Sequence, residues 1–145
     1  MGYDFTLYEI TNYDWEESQK DFQVKEVLYL SNSLAMLISE WLYRNNIHGH
    51  VDDCDKCYHY VEVYGWQLKH CFENLELVLS ESDKTKRDLQ ALFYFPCKYT
   101  IPDYASSTEM FSDHYYNCLE HIRDGLNKVL SDNPDRQMFL YNLTI

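Results

Sequence analysis

The seventeen residues "IHGHVDDCDKCYHYVEV", positions 47–63, concentrate side chains that bind metals. Four nitrogen or sulfur ligands fall within ten residues: His48, His50, Cys54 and Cys57. Zinc in proteins is held by about four such ligands in a tetrahedron. A His-x-His pair followed so closely by Cys-x-x-Cys is not a usual zinc spacing, so the alternative is a polar connection with one cysteine turned inward. We expect the polar connection, and zinc is the one cofactor that the sequence leaves open.

The same stretch and the rest of the chain offer little for catalysis. The aspartates around Cys54 would raise the pKa of its thiol, whereas a reactive cysteine needs basic neighbours. No G-x-S-x-G, H-E-x-x-H or glycine-rich phosphate loop is present. The acid–histidine pairs Asp113–His114 and Glu120–His121 are adjacent in sequence, and neighbouring residues on a helix point about 100° apart. We therefore expect no catalytic residues and no enzyme.

The net charge indicates which kinds of partner the protein can bind, and the cysteine count indicates the compartment in which we expect it. The 145 residues include 24 acids and 12 bases, which gives a net charge of −12. Such a field repels nucleic acid and anionic membranes and favours basic protein surfaces. Five cysteines are an odd number for a disulfide framework, and no stretch is apolar enough to span a membrane. The sequence predicts a cytoplasmic protein with reduced thiols.

The two ends of the chain have the alternation of β-strands. Tyr3 to Ile10 alternates apolar and polar residues with the period of a half-buried strand. "QMFLYNLTI", residues 137–145, is also β-prone and follows a turn signal at Asn133 and Pro134. We predict that the last strand pairs with the first.

Helical periodicity fills most of the interval between these strands. It predicts helices over Val27–Tyr43, Trp66–Leu79 and Ser107–Leu130. A short strand around 58–63 precedes the second helix, residues 22–24 could start another, and residues 80–95 add a helical turn or two. The fold class is α+β, with a small antiparallel sheet packed against about three helices in a single domain, residues 1–145.

The last helix carries an acidic stripe opposite its apolar face. At about 100° per residue, four carboxylates fall in a narrow sector. An ordinary solvated face is the simpler interpretation of such a stripe taken alone. Together with the net charge and fourteen tyrosines, it favours binding to a basic surface. The predicted partner-binding residues are Glu109, Asp113, Tyr116, Glu120 and Asp124.

Several short motifs resemble a group of small phage and prophage proteins of uncharacterised function. They are "MGYD", "YLSNSLAML", "HVDDC", "WQLKHCFENLELVL" and "DHYYNCLEHIRDGLNKVL", which occur in the same order along the chain. Proteins of that group open with Met-Gly-hydrophobic-Asp and contain Asp-Asp-Cys and a late Tyr-Tyr helix. The resemblance implies a phage or mobile-element origin and a cytoplasmic location in a bacterial host.

These observations lead to one functional hypothesis and two alternatives. The hypothesis is an acidic phage-derived protein that binds and inhibits a basic, nucleic-acid-handling host or antiviral-defence protein, in the manner of an anti-CRISPR or nucleic-acid mimic. The alternatives are a small zinc-binding domain and a protein that binds a nucleotide or other small molecule. The oligomeric state is left open.

Overall fold

A computed structural model describes residues 3–13, 22–48, 51–53, 58–96 and 110–144. Over these ranges the chain forms five strands and four helices. In chain order they are β1 (Asp4–Tyr13), β2 (Phe22–Ser31), α1 (Ser33–Arg44), β3 (Val51–Asp53), β4 (Tyr58–Tyr64), α2 (Gly65–Leu79), α3 (Lys84–Tyr94), α4 (Asp113–Asp132) and β5 (Met138–Thr144). None of these helices is long and apolar enough to cross a membrane.

The strands form one antiparallel sheet in the order β2-β1-β5-β4-β3. The first and last strands pair directly, with Phe5 opposite Leu143 and Leu7 opposite Tyr141. This confirms the predicted pairing of the terminal strands and the α+β class. Because β5 lies between β1 and β4, the last element of the chain joins the two halves of the sheet.

The predicted start of the first helix was wrong. Residues 27–31 belong to β2, a ten-residue strand paired with β1, and the helix begins at Ser33. Asn32 separates the two elements with a φ of 52°, and its backbone N–H donates to the Tyr3 carbonyl at 2.7 Å. The leucine spacing suited a helix, but residues 28 and 30 also share one face of a strand.

The second and last helices agree with their periodicity. In α2 the buried positions include Leu68, Cys71, Leu75 and Val78. In α4 they include Tyr115, Cys118, Ile122, Leu126 and Val129, and the helix begins after Ser112, whose side chain accepts from the Tyr115 N–H. Of the residues predicted to start this helix, 107–109 lie outside the described ranges. Residues 110–112 form a turn in which Phe111 has a φ of 70°, so the helix begins later than predicted. The region predicted to contain a turn or two forms the full eleven-residue helix α3.

The main core lies between one face of the sheet and the helices. Phe5, Leu7 and Phe139 contribute from the strands, and buried residues of all four helices join them. Because strand residues alternate between faces, Tyr60 and Leu140 point to the other face, where Tyr8 packs against Tyr60. The helices therefore cover one face of the sheet and expose their outer sides.

Candidate partner-binding surface

Only part of the histidine- and cysteine-rich stretch falls within the described residues. His48 is exposed after α1, with its ring centroid 5.9 Å from that of Tyr43. The backbone of β3 pairs with that of β4. His50, Cys54 and Cys57 lie outside the described ranges, so the zinc site stays a prediction. Among the residues that are described, no group of three or more histidines, cysteines and carboxylates is arranged to hold a metal ion.

The acidic stripe lies on the outer face of α4. Asp113, Glu120 and Asp124 are all exposed, whereas Glu109 lies outside the described residues. At a rise of 1.5 Å per residue, these three carboxylates extend over about 16 Å of the helix. Asn127, which is uncharged, is seven residues beyond Glu120 and exposed in nearly the same sector, so the same polar face continues beyond the last carboxylate toward the C-terminal end of α4.

One arginine neutralises part of this face. Arg123 Nε lies 3.1 Å from Asp124 Oδ1 and 3.5 Å from Glu76 Oε1, which belongs to α2. The guanidinium group is thus held at the seam between α2 and α4. Within the described part of the chain, Asp113 and Glu120 have no ion-pair partner, so their charges face solvent.

Tyr116 is turned away from the exposed face. Only 7% of its surface is exposed, and its hydroxyl donates to the Asp88 carboxylate of α3. The Arg87 guanidinium stacks 3.8 Å from the centre of its ring. Burial, together with the Asp88 hydrogen bond, raises the pKa of Tyr116 to about 12. Its ring links α4 to α3, and its role in binding a partner stays a prediction.

Trp66 is a large exposed aromatic residue that the sequence analysis did not single out. Its side chain is 69% exposed at the start of α2, next to Tyr64, which is also exposed. Both line an open groove of about 870 Å³ between the start of α2 and the end of α4. The groove is also lined by Gly65, Lys69, Phe72, Asn127, Leu130, Ser131 and the turn 133–137. The polar face of α4 that carries the acidic stripe therefore continues through Asn127 into an aromatic groove.

Close backbone packing at Gly65 fixes the start of α2, where Trp66 lies. The Gly65 N–H donates to the Gln137 carbonyl at 2.8 Å, and a Cβ on Gly65 would lie 2.6 Å from the Arg136 carbonyl oxygen. Arg136 in turn donates to the Ile10 carbonyl and lies 3.5 Å from Glu9. The "YGW" sequence, with a glycine between two large aromatic residues, was the available signal for this site.

A cysteine–histidine pair lies near the start of α4. Cys118 Sγ is 3.7 Å from His114 Nε2. Burial raises the pKa of the Cys118 thiol and of the fully buried Cys71 thiol. A nucleophilic cysteine needs its thiolate, whereas this environment favours the neutral thiol. Both cysteines are reduced and pack in the core.

Comparison of the chain with protein-family models, with curated proteins and with solved structures finds no match.

Proposed function

We propose that this protein is an acidic binding protein whose outer α4 face and adjoining Trp66 groove dock onto a basic surface of another protein. The proposal depends chiefly on one juxtaposition. Exposed carboxylates run along α4 toward a groove in which a large aromatic side chain is also exposed. Charge and an aromatic anchor thus occupy neighbouring parts of one surface.

The carboxylates would determine how fast and with what orientation a partner arrives. Complementary charge accelerates association and excludes surfaces of the wrong sign. The net charge of −12 extends this attraction beyond the contact itself. Because Asp113 and Glu120 have no ion-pair partner among the described residues, a basic partner can bind them without displacing a protein cation.

Trp66 would supply binding energy that charge alone does not. Tryptophan is enriched among the residues whose truncation weakens interfaces most, since it buries a large rigid ring with few rotatable bonds. The ring needs no large rearrangement to become available, because it is already exposed. The polar residues around the groove, such as Asn127 and Gln137, fit the rim of an interface.

The partner class is inferred from the sign and extent of the charge. Proteins that bind nucleic acid present extended basic surfaces to a row of phosphates, and the carboxylates along α4 also place several negative charges on one extended face. The resemblance to phage proteins supports a role in a bacterial host, where the protein would occupy and inhibit a nucleic-acid-handling or antiviral-defence protein, as an anti-CRISPR does. Such inhibition acts by occupancy and needs no catalytic group.

An affinity pull-down from bacterial lysate tests the proposal. The tagged protein is used at about 0.1 M and about 0.5 M salt, because charge screening increases over this range. We expect a nucleic-acid-handling protein to be retained at low salt and lost at high salt. The proposal would be contradicted if no protein is retained. It would also be contradicted if the retained proteins have no basic surface and stay bound at high salt.

Two charge-reversal variants locate the surface. Glu120→Lys/Asp124→Lys changes the α4 face, and Glu26→Lys/Glu62→Lys makes the same change in net charge at exposed positions of β2 and β4. The first variant should lose the retained protein and the second should keep it. Equal losses would show that net charge, rather than the α4 face, is responsible.

A further inference from the structure

The outer face of α3 is apolar, although the helix lies on the surface. Leu89, Leu92 and Phe93, here called the α3 patch, are 62%, 42% and 66% exposed. The residue that α3 buries completely is the small Ala91. On a surface helix the large apolar residues normally face the core. The α3 patch reverses this arrangement, and clustered exposed apolar residues of this kind mark interaction sites.

Two cations border the α3 patch. Lys86 is exposed three residues before Leu89, on the same side of α3, whereas Lys84 lies seven residues before the buried Ala91 and so on the opposite side. Arg44 of α1 donates to the Phe93 carbonyl at 3.1 Å, which places a guanidinium group at the other end of the patch. Two carboxylates of the same segment are engaged elsewhere, since Asp83 accepts from the Lys86 N–H and Asp88 accepts from the Tyr116 hydroxyl.

We propose that the α3 patch binds an acidic amphipathic helix of another protein. An apolar stripe on that helix would cover Leu89, Leu92 and Phe93, and its carboxylates would pair with Lys86 and Arg44. Helices recognised on an apolar surface commonly present anchors at spacings of three and four residues, and the patch has the same spacing. Carboxylates near the first turn of α3 would also interact favourably with the N-terminal end of its dipole.

The α3 patch and the α4 face have opposite charge preferences. The α4 face would attract a basic protein, whereas the patch would attract an acidic segment. The two contacts use different residues, so the second proposal does not depend on the first and each can fail alone.

Fluorescence anisotropy with two labelled synthetic peptides tests the charge preference. Both are amphipathic helices with the same leucine stripe, and the polar positions are glutamate in one and lysine in the other. We expect the glutamate peptide to bind at least about tenfold more tightly than the lysine peptide at low salt. Equal or tighter binding of the lysine peptide, or no binding of the glutamate peptide at about 1 mM, would overturn the proposal.

Variants of the protein then test whether the peptide binds at the α3 patch. Phe93→Ser should weaken binding of the glutamate peptide about tenfold or more, since it removes an exposed aromatic anchor. Lys86→Glu should weaken it clearly, whereas Lys84→Glu, an equal charge change at an exposed position on the opposite side of α3, should have little effect. Equal effects of the two charge variants would overturn the placement.

Sedimentation of the protein alone provides a further check. A wild-type dimer that Phe93→Ser dissociates would show that a second copy of the chain covers the α3 patch, and this result would also overturn the proposal.

Discussion

Helices α3 and α4 are neighbours joined through Tyr116 and Asp88, yet they are amphipathic in opposite senses. In α4 the large apolar residues are buried and the carboxylates face outward. In α3 the buried residue is an alanine, and leucines and a phenylalanine face outward beside Lys86. A buried apolar stripe is explained by folding alone, whereas an exposed one is not. The difference indicates that α4 stabilises the domain through large apolar side chains on its inner face, whereas α3 leaves its leucines and its phenylalanine exposed.

Truncating a leucine should lower the free energy of unfolding much more in α4 than in α3. Leu126→Ala removes a fully buried side chain of α4, and it should lower the free energy of unfolding by about 2–5 kcal/mol. Leu89→Ala in α3 should change it by no more than about 0.5 kcal/mol, since this leucine is exposed. Urea unfolding followed by circular dichroism measures both. Similar losses for the two variants would show that the α3 patch is part of the core.

Overpacking of α3 probes its inner side. Ala91→Leu adds bulk at a fully buried position, and we expect it to lower the free energy of unfolding by about 1–3 kcal/mol. Thr85→Leu, at an exposed position of the same helix, is the control and should be nearly neutral. If Ala91→Leu is tolerated without loss, α3 does not pack through this residue as described.

Tyr116 connects α4 to α3, and its contribution to the free energy of unfolding should decrease at high pH. Its pKa is about 12 in the folded protein, against about 10 in the unfolded chain. The unfolded chain therefore releases its proton first, so this contribution to stability is full below about pH 10 and is lost as the pH rises toward 12.

Tyr116→Phe removes this titration and also the hydrogen bond to Asp88. We expect the variant to be about 1 kcal/mol less stable at pH 7 and to lose stability less steeply between about pH 10 and 12. Urea unfolding at a series of pH values gives both results. The same pH slope in the variant and the wild type would mean that Tyr116 does not hold its proton as the structure indicates.

Charge reversal in the first turn should change the free energy of unfolding in opposite directions in α4 and α3, and by less than the substitutions above. Asp113 lies in the first turn of α4, where a negative charge favours the helix dipole, whereas Lys84 lies in the first turn of α3. Asp113→Lys should destabilise the protein, and Lys84→Glu should stabilise it, each by about 0.3–1 kcal/mol at low salt. Unfolding at low and high salt checks this, because screening should reduce both changes. Changes of the same sign would contradict the assignment.

The sequence predicted those parts of the fold that local periodicity determines. Alternation identified the terminal strands and their pairing, and helical spacing identified the inner faces of α2 and α4. It did not separate β2 from α1, because the leucines near Leu30 suit a strand face as well as a helix face. The break depends on the backbone conformation of Asn32, which spacing does not reveal.

The candidate surface was only partly predictable for a related reason. The exposure of Asp113, Glu120 and Asp124 follows from the position of the apolar residues on the same helix. The burial of Tyr116 depends on α3, a separate element that packs beside it. Trp66 is exposed because of how α2, α4 and the turn at 136–137 meet. Contacts between segments that are distant in the sequence cannot be predicted from the spacing of apolar residues within one element.

Whether the α4 face is the docking surface is decided by its affinity for a protein retained in the pull-down, measured by titration at about 0.05 M and about 0.3 M salt. For the wild type we expect clear weakening as salt rises. Glu120→Lys/Asp124→Lys should bind at least about tenfold more weakly at low salt and respond less to added salt. If this variant and the wild type bind equally tightly at both salt concentrations, the α4 face is not the docking surface.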